Sequence, residues 1–466
     1  MNFFELKRPA SLNLSLEEQR KKWMPQFFKA FSVVFLVYFS SYLIRQNMSS
    51  ASAAMAKSLK INKTEIANML VWYSVTYGIG KTLLGFIADR RNTKRLVSFL
   101  LILGGFCNVA IGSFFFTSMD TKTLMFTTSV FWGINGLVLS PGGPCAYSTI
   151  MRWQPRSKQA TWLGRWNVSH NIGGAVAATL AAQVAVHWFG GKVEGYFIVP
   201  GLFAIAIGFW GMFFGKDDPL ELGWDEAVTV WSEVEEEAER KEEAEEEKDG
   251  ELSKIHLFLR YVIINPWVLL LAIANVFVYI IRMGIVTWVT YYAYIVLGHK
   301  ITSSANLIIW FEVSAMVGSL TLGWLSDRIK GRRMLISGIV MLLTSTGILL
   351  YKNATSIQQL SVAMFVCGFF IFGPQLLIGV SVVKFVPKKA VAVANGVTGT
   401  FGYLVGDLLA KKWIEKSVNR ETREGWSKMF MIMFICVVAG AVLMFIVATA
   451  EEKRIRKEAV LKKLKA

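Results

Sequence analysis

The chain has 466 residues, 54% of them hydrophobic and only 18% charged, with a mean hydropathy of +0.44 and a formal net charge of +17. So apolar a chain lacks the polar surface of a soluble protein this size, and its repeated uncharged runs match the roughly 20 residues a helix needs to cross a bilayer. An ordinary soluble enzyme is excluded, and so are open-edged sheets, because lipid cannot satisfy their backbone.

Residues 1 to 26 are too polar for a signal sequence and are expected to stay in the cytoplasm. Twelve helical spans are predicted after them, about 27 to 50, 64 to 88, 95 to 116, 123 to 150, 158 to 187, 193 to 215, 260 to 297, 302 to 326, 333 to 351, 356 to 384, 388 to 411 and 426 to 449. They form an all-α membrane fold of two six-helix bundles, at 27 to 215 and 258 to 449. Between them, 217 to 251 holds 17 of the 33 acidic residues and three basic ones, which reads as a solvated helix or flexible linker across 216 to 257. A basic tail follows from 450.

Arg45 is the only charge between Lys29 and Lys57. It closes the series Tyr38, Ser41, Tyr42, Arg45, which lies on one helical face. The second span carries Lys81 on a face with Tyr73 and Tyr77, where the lysine is either a further deep cation or a side chain reaching back to the membrane border. The second span ends in GFIADRRNTKR (85 to 95), and its counterpart GWLSDRIKGRR (323 to 333) stands 238 residues later. Each pairs an aspartate with an arginine, Asp89 with Arg90 and Asp327 with Arg328, at a span end where ion pairs and helix termini can latch a gate. The fifth span places Asn167, His170 and Asn171 together; the histidine is either a pocket residue or a polar packing residue.

In the seventh span, Asn275, Tyr279 and Arg282 repeat the first span's pattern, with Arg282 offset from Arg45 by 237 residues. A mid-membrane arginine costs about 2.5 to 3.5 kcal/mol on insertion scales, so two at matching positions imply a ligand. Glu312 is the one acid near the midplane that could neutralise either. The two polar faces are expected to line a wet, cationic chamber suited to a small anion with several acceptor oxygens, and phosphate fits the guanidinium fork. The four cysteines, Cys107, Cys145, Cys367 and Cys436, lie inside spans without CxxC spacing, so neither disulfides nor zinc are indicated. No cofactor, metal-ligand spacing, phosphate-cradling loop or nucleophile with its base is found, and no enzyme is expected. The basic clusters sit at span borders, where topology and the lipid bilayer account for them better than nucleic acid. By the same clusters both termini are cytoplasmic, although KKWIEKSVNRETREGWSK, before the last span, is basic on the expected outer side.

The repeated six-span unit and its D-R loops resemble the major facilitator superfamily, whose parallel repeats hold substrate at the midplane. YLIRQN, TYGIGKTLLG, WNVSHNIGG, NVFVYIIRMGI, FGPQLLIGV and FVPKKAVAVANGVTGTFGYLVGD resemble, within it, the organophosphate:inorganic phosphate antiporter family, nearest its hexose-phosphate members. The resemblance implies that Arg45 and Arg282 clamp phosphate in a pocket with Tyr38, Tyr42, Tyr77, Lys81, His170, Tyr279 and Tyr403. It implies a monomer of a bacterial inner membrane that exchanges external hexose 6-phosphate, above all glucose 6-phosphate, for internal phosphate by alternating access. The alternatives are glycerol 3-phosphate or another small ester as cargo, or a non-transporting sensor of external sugar phosphate. Two departures stand out. Asn395 and Thr398 replace a charged pair of the family's eleventh span, leaving a polar face suited to sugar hydroxyls, and Arg165 stands where relatives are apolar.

Overall fold

The computed structural model describes residues 4–5, 9, 14–88, 92–231, 263–329, 332–382, 385–386 and 391–465. Among them all regular structure is helical. Ten helical stretches are long and apolar enough to span a membrane, and Lys63–Ala88 and the 391–417 segment occupy the second and eleventh places in chain order, completing the twelve. The protein is a multi-pass membrane protein. It divides into two compact units, 1–61 with 72–250, and 62–71 with 251–466.

In the first unit, α1 (Leu16–Leu59) begins eleven residues before the expected span, because Ser15 and Glu18 form a reciprocal capping box. Its early turns then find partners. Trp23, Phe27, Ala30 and Val34 pack in one apolar cluster with Trp153, Trp162, Trp166 and Trp224. Gln19 exchanges two hydrogen bonds with Asp225, at 2.9 and 3.1 Å, which ties the chain after the sixth span to this helix. The helices α2 (Lys63–Ala88) and α3 (Thr93–Phe114) follow. The fourth span is broken into α4 (Thr121–Leu139) and α5 (Gly142–Trp153), since SPGGP places a proline and two glycines at 141 to 143. The unit continues with α6 (Arg156–Phe189), α7 (Ile198–Phe213) and the short α8 (Ala227–Trp231). α3 and α7 cross closely at small residues: a Cβ on Gly105 would lie 2.7 Å from the Gly201 carbonyl oxygen, and one on Gly208 2.8 Å from that of Ser98.

One carboxylate organises the end of this unit where α3 starts. Asp217 is fully buried and accepts from the Thr93 and Lys94 backbone N–H groups (2.8 and 3.1 Å), from the Thr93 and Thr149 hydroxyls (2.9 and 2.6 Å) and from Arg152. It answers the unsatisfied N–H groups of a helix start and ties α3, α5 and the chain after α7 together. Glu221 accepts in turn from the Asp217 backbone N–H (2.9 Å) and the Asn92 amide (3.0 Å), and burial pushes its carboxyl up from the ordinary carboxylate range.

The second unit holds α9 (Pro266–Tyr291), which runs into a π-helical turn at Tyr292–Val296, and then α10 (Ile301–Arg328), α11 (Arg333–Asn353) and α12 (Ile357–Val382). The eleventh span is α13 (Val391–Phe401), a second π-helical turn at Gly402–Asp407, and α14 (Leu408–Ser417); α15 (Ser427–Lys465) ends the chain. The carboxylate device recurs here, with Glu451 accepting from the Met334 N–H at 2.9 Å and Glu452 bound by Arg332 at 2.7 Å. The first turns of α2 belong to this unit through polar contacts: Lys63 pairs with Glu421 at 3.3 Å, Thr64 donates to Glu415, and Lys412 donates to Asn68. Lys411 is buried with Asp407, and Arg423 donates to the Lys352 carbonyl. The basic residues of the segment before the last span are thus partly engaged in packing, which weakens that segment as a signal of topology.

Candidate functional site

Each unit contributes an arginine set against aromatic rings. In the first, Arg45 is half-buried, with its guanidinium carbon 4.7 Å from the Tyr77 ring centroid, 5.2 Å from Tyr42 and 5.5 Å from Tyr73. Tyr73 and Tyr77 stack at 5.5 Å, presenting ring faces from α2 to a cation on α1. Aromatic faces hold a guanidinium plane by attraction to its charge, while its N–H groups radiate in that plane toward acceptors.

The ring set continues along α1. Tyr38 packs on Tyr42 at 5.5 Å and on Trp166 at 4.5 Å, and His170 reaches both tyrosines, at 5.5 Å from Tyr42 and 6.4 Å from Tyr38. α1 and α6 can pack this tightly because Gly173 meets α1 where a Cβ would lie 2.8 Å from the Phe39 carbonyl oxygen. Asn171 is buried, whereas Asn167 is exposed on α6 and is not drawn into the ring cluster. Lys81 is half-buried one turn beyond Tyr77. Arg165 is exposed and stacks on Trp162 at 4.4 Å, away from the Arg45 set.

In the second unit Arg282 is 4% exposed on α9, with Nη1 donating to the Gln375 side-chain oxygen at 2.9 Å and the guanidinium carbon 4.2 Å from the Phe372 ring centroid. Tyr279, one turn earlier, meets Tyr403 edge-on at 5.1 Å. Gly402 and Gly406 allow this approach, since Cβ atoms there would fall 2.9 Å from the Tyr279 ring and 2.6 Å from its Cβ. Asn275 donates to the Thr398 carbonyl at 2.8 Å, and the Thr398 side chain is buried. Glu312 is fully buried in α10. The side chains of Asn395 and Asp327 and the whole of Asp89 and Arg90 lie outside the described residues. Arg328 is exposed at the end of α10 and stacks on Trp324 at 4.6 Å.

Sequence reasoning missed Gln375 and Phe372. The signal was present: Gln375 is the only amide side chain between Ser361 and Ser381, directly behind Pro374. It also missed a buried charge pair in the eleventh span, Lys411 Nζ to Asp407 Oδ2 at 3.0 Å, which joins the last residue of the π-helical turn to the helix after it. Breaking such a pair strands a buried charge, so Asp407→Asn is expected to cost about 3 to 5 kcal/mol of stability, with Asp407→Asn/Lys411→Met recovering much of it. Thermal unfolding in detergent measures both.

Apolar helices in two units, each holding an arginine against aromatic rings, define a polytopic membrane carrier fold. Residues 34–410 match the profile of the Major Facilitator Superfamily. The hexose-6-phosphate:phosphate antiporter of Salmonella typhimurium (strain LT2) is 38% identical over 460 residues, 98% of this chain and 97% of its own. That of Escherichia coli (strain K12) is 38% identical over 466 residues, covering 99% of each chain. Among solved structures, a bacterial homologue of the human lysosomal transporter Spinster, inward-facing and occupied, shares the fold with a TM-score of 0.70 at 13% identity, over 92% of this chain and 97% of that one. The chain belongs to the Major Facilitator Superfamily and, within it, to the organophosphate:inorganic phosphate antiporter family.

Proposed function

We propose that the protein exchanges an external hexose 6-phosphate, glucose 6-phosphate above all, for internal inorganic phosphate across a bacterial inner membrane, with both termini cytoplasmic. The observation that carries this reading is the setting of Arg45 against the rings of Tyr42 and Tyr77, and of Arg282 against the Phe372 ring and the Gln375 amide. Rings and an amide oxygen orient a guanidinium plane, and a phosphoryl group can accept two parallel N–H bonds from its fork.

In this reading Arg45 and Arg282 bind the phosphoryl oxygens. Lys81 and His170 add positive charge or donors, and Tyr38, Tyr42, Tyr77, Tyr279 and Tyr403 supply ring faces and hydroxyls. Asn167, Asn395 and Thr398 serve the sugar, and Asp89, Arg90, Asp327 and Arg328 gate. No covalent step is involved. Cargo drives the conformational cycle through its different affinity for the two access states, so loaded carriers turn over and exchange results.

Proteoliposomes loaded with phosphate are expected to take up labelled glucose 6-phosphate, and to take up little without internal phosphate. A panel of phosphate esters ranks the cargo. Preference for glycerol 3-phosphate would replace the hexose reading, and saturable binding with no exchange would make the protein a sensor.

A further inference from the structure

Arg282 and Gln375 meet in a way that fixes which end of the amide faces the cation. A guanidinium has donors and no acceptor, so the atom 2.9 Å from Nη1 is the carboxamide oxygen, which leaves the amide NH2 directed away from that nitrogen. Gln375 follows Pro374, which lacks a backbone N–H and removes one hydrogen bond from the α12 ladder. Phe372 and Gln375 are three residues apart and therefore share a face of α12; one stacks on Arg282 and the other bonds it. Gln375 itself is only half-buried.

A carboxylate at this position would hold Arg282 just as well but would cancel its charge and repel an anion, while an aliphatic side chain would pack without aiming the fork. Glutamine does neither. With its oxygen committed to the cation, its NH2 is the group left to act on cargo, beside the arginine that takes the phosphoryl group.

We propose that Gln375 is a cargo-orienting and selectivity-determining residue: its oxygen positions the Arg282 fork, and its NH2 donates to an oxygen of the organic part of a phosphate ester. This rests on Arg282 as a phosphoryl-binding cation. The ligand class it favours is an ester with a hydroxyl or ring oxygen close to its phosphate, over inorganic phosphate, which offers nothing beyond the phosphoryl group.

The test uses full-length protein in phosphate-loaded proteoliposomes, with KM measured separately for external inorganic phosphate and glucose 6-phosphate. Gln375→Leu is expected to raise the phosphate KM about threefold and the ester KM about 30-fold, a tenfold fall in selectivity of the size one lost hydrogen bond produces. Gln375→Glu is expected to raise the phosphate KM further than Gln375→Leu does. Gln375→Met, unbranched and of similar length, replaces the leucine variant if the latter unfolds. Both KM values within twofold of wild type, or a loss confined to kcat or thermal stability, would overturn the proposal. Equal rises in both KM values would overturn the ester contact. A wild type that self-exchanges phosphate but carries no hexose phosphate would instead overturn the function proposed above, and the ester contact is then decided with the ester it does carry.

Discussion

Arg45→Lys and Arg282→Lys are each expected to lower kcat/KM for phosphate-linked exchange by at least about 100-fold, or about 3 kcal/mol, while the protein still inserts and unfolds near the wild-type temperature. Lysine keeps the sign of the charge. It loses the planar fork that gives two parallel bonds to a phosphoryl group, and it loses the flat surface held by Tyr42, Tyr73 and Tyr77 at Arg45 and by Phe372 at Arg282. The measurement is labelled phosphate self-exchange alongside hexose phosphate uptake, at equal reconstituted protein. Activity within a few fold of wild type in either variant would remove the arginines from the binding site and leave their cost in the membrane without a reason.

A loss of stability as large as that of Asp407→Asn is expected of Asp217→Asn. Both carboxylate oxygens accept: Oδ1 from Thr93, Lys94 and Thr149, and Oδ2 from the Thr93 N–H and Arg152. An amide must turn its NH2 against one of these donor sets whichever way it is flipped, and it removes the carboxylate that Arg152, largely buried, meets at the shorter distance. The expected cost is about 3 to 5 kcal/mol. Asp218→Asn is the control. Asp218 lies 3.9 Å from Arg152 and caps the Leu220 N–H at a short helical turn, so a loss of about 1 kcal/mol is expected there. Detergent melting curves and proteolysis between the two units distinguish the variants; equal melting temperatures would show that the α3 start is held by something other than this carboxylate.

Much of the molecule was legible in the chain itself. Spans are legible because crossing a bilayer imposes length and apolarity on each segment separately, and the doubled D-R loops with arginines 237 residues apart betray the repeat. The alignment of Tyr38, Tyr42 and Arg45, and of Asn275, Tyr279 and Arg282, follows from the 3.6-residue period alone. The structure places Tyr42 against Arg45 and Tyr279 against Tyr403. The fifth span's own polar face held His170 and the family motifs added Tyr403, which the structure sets against Tyr42 and Tyr279.

Other features depend on contacts that no local pattern encodes. The π-helical turn at 402–407 forms where Gly402 and Gly406 let the eleventh span press on Tyr279, more than 120 residues earlier in the chain. Asp217 reads as one acid at the edge of an acidic run until α3 and α5 bring their donors to it. Gln375 reads as a stray amide in an apolar helix until α9 carries Arg282 to it across 93 residues. By itself the sequence determined which segments cross the membrane, that they form two related halves, and which residues share a helical face, because those properties are set within single helices. Only the tertiary structure decided which neutral groups aim the arginines and which carboxylates close the helix starts. Those partners come from different helices, and only packing brings them within hydrogen-bonding distance.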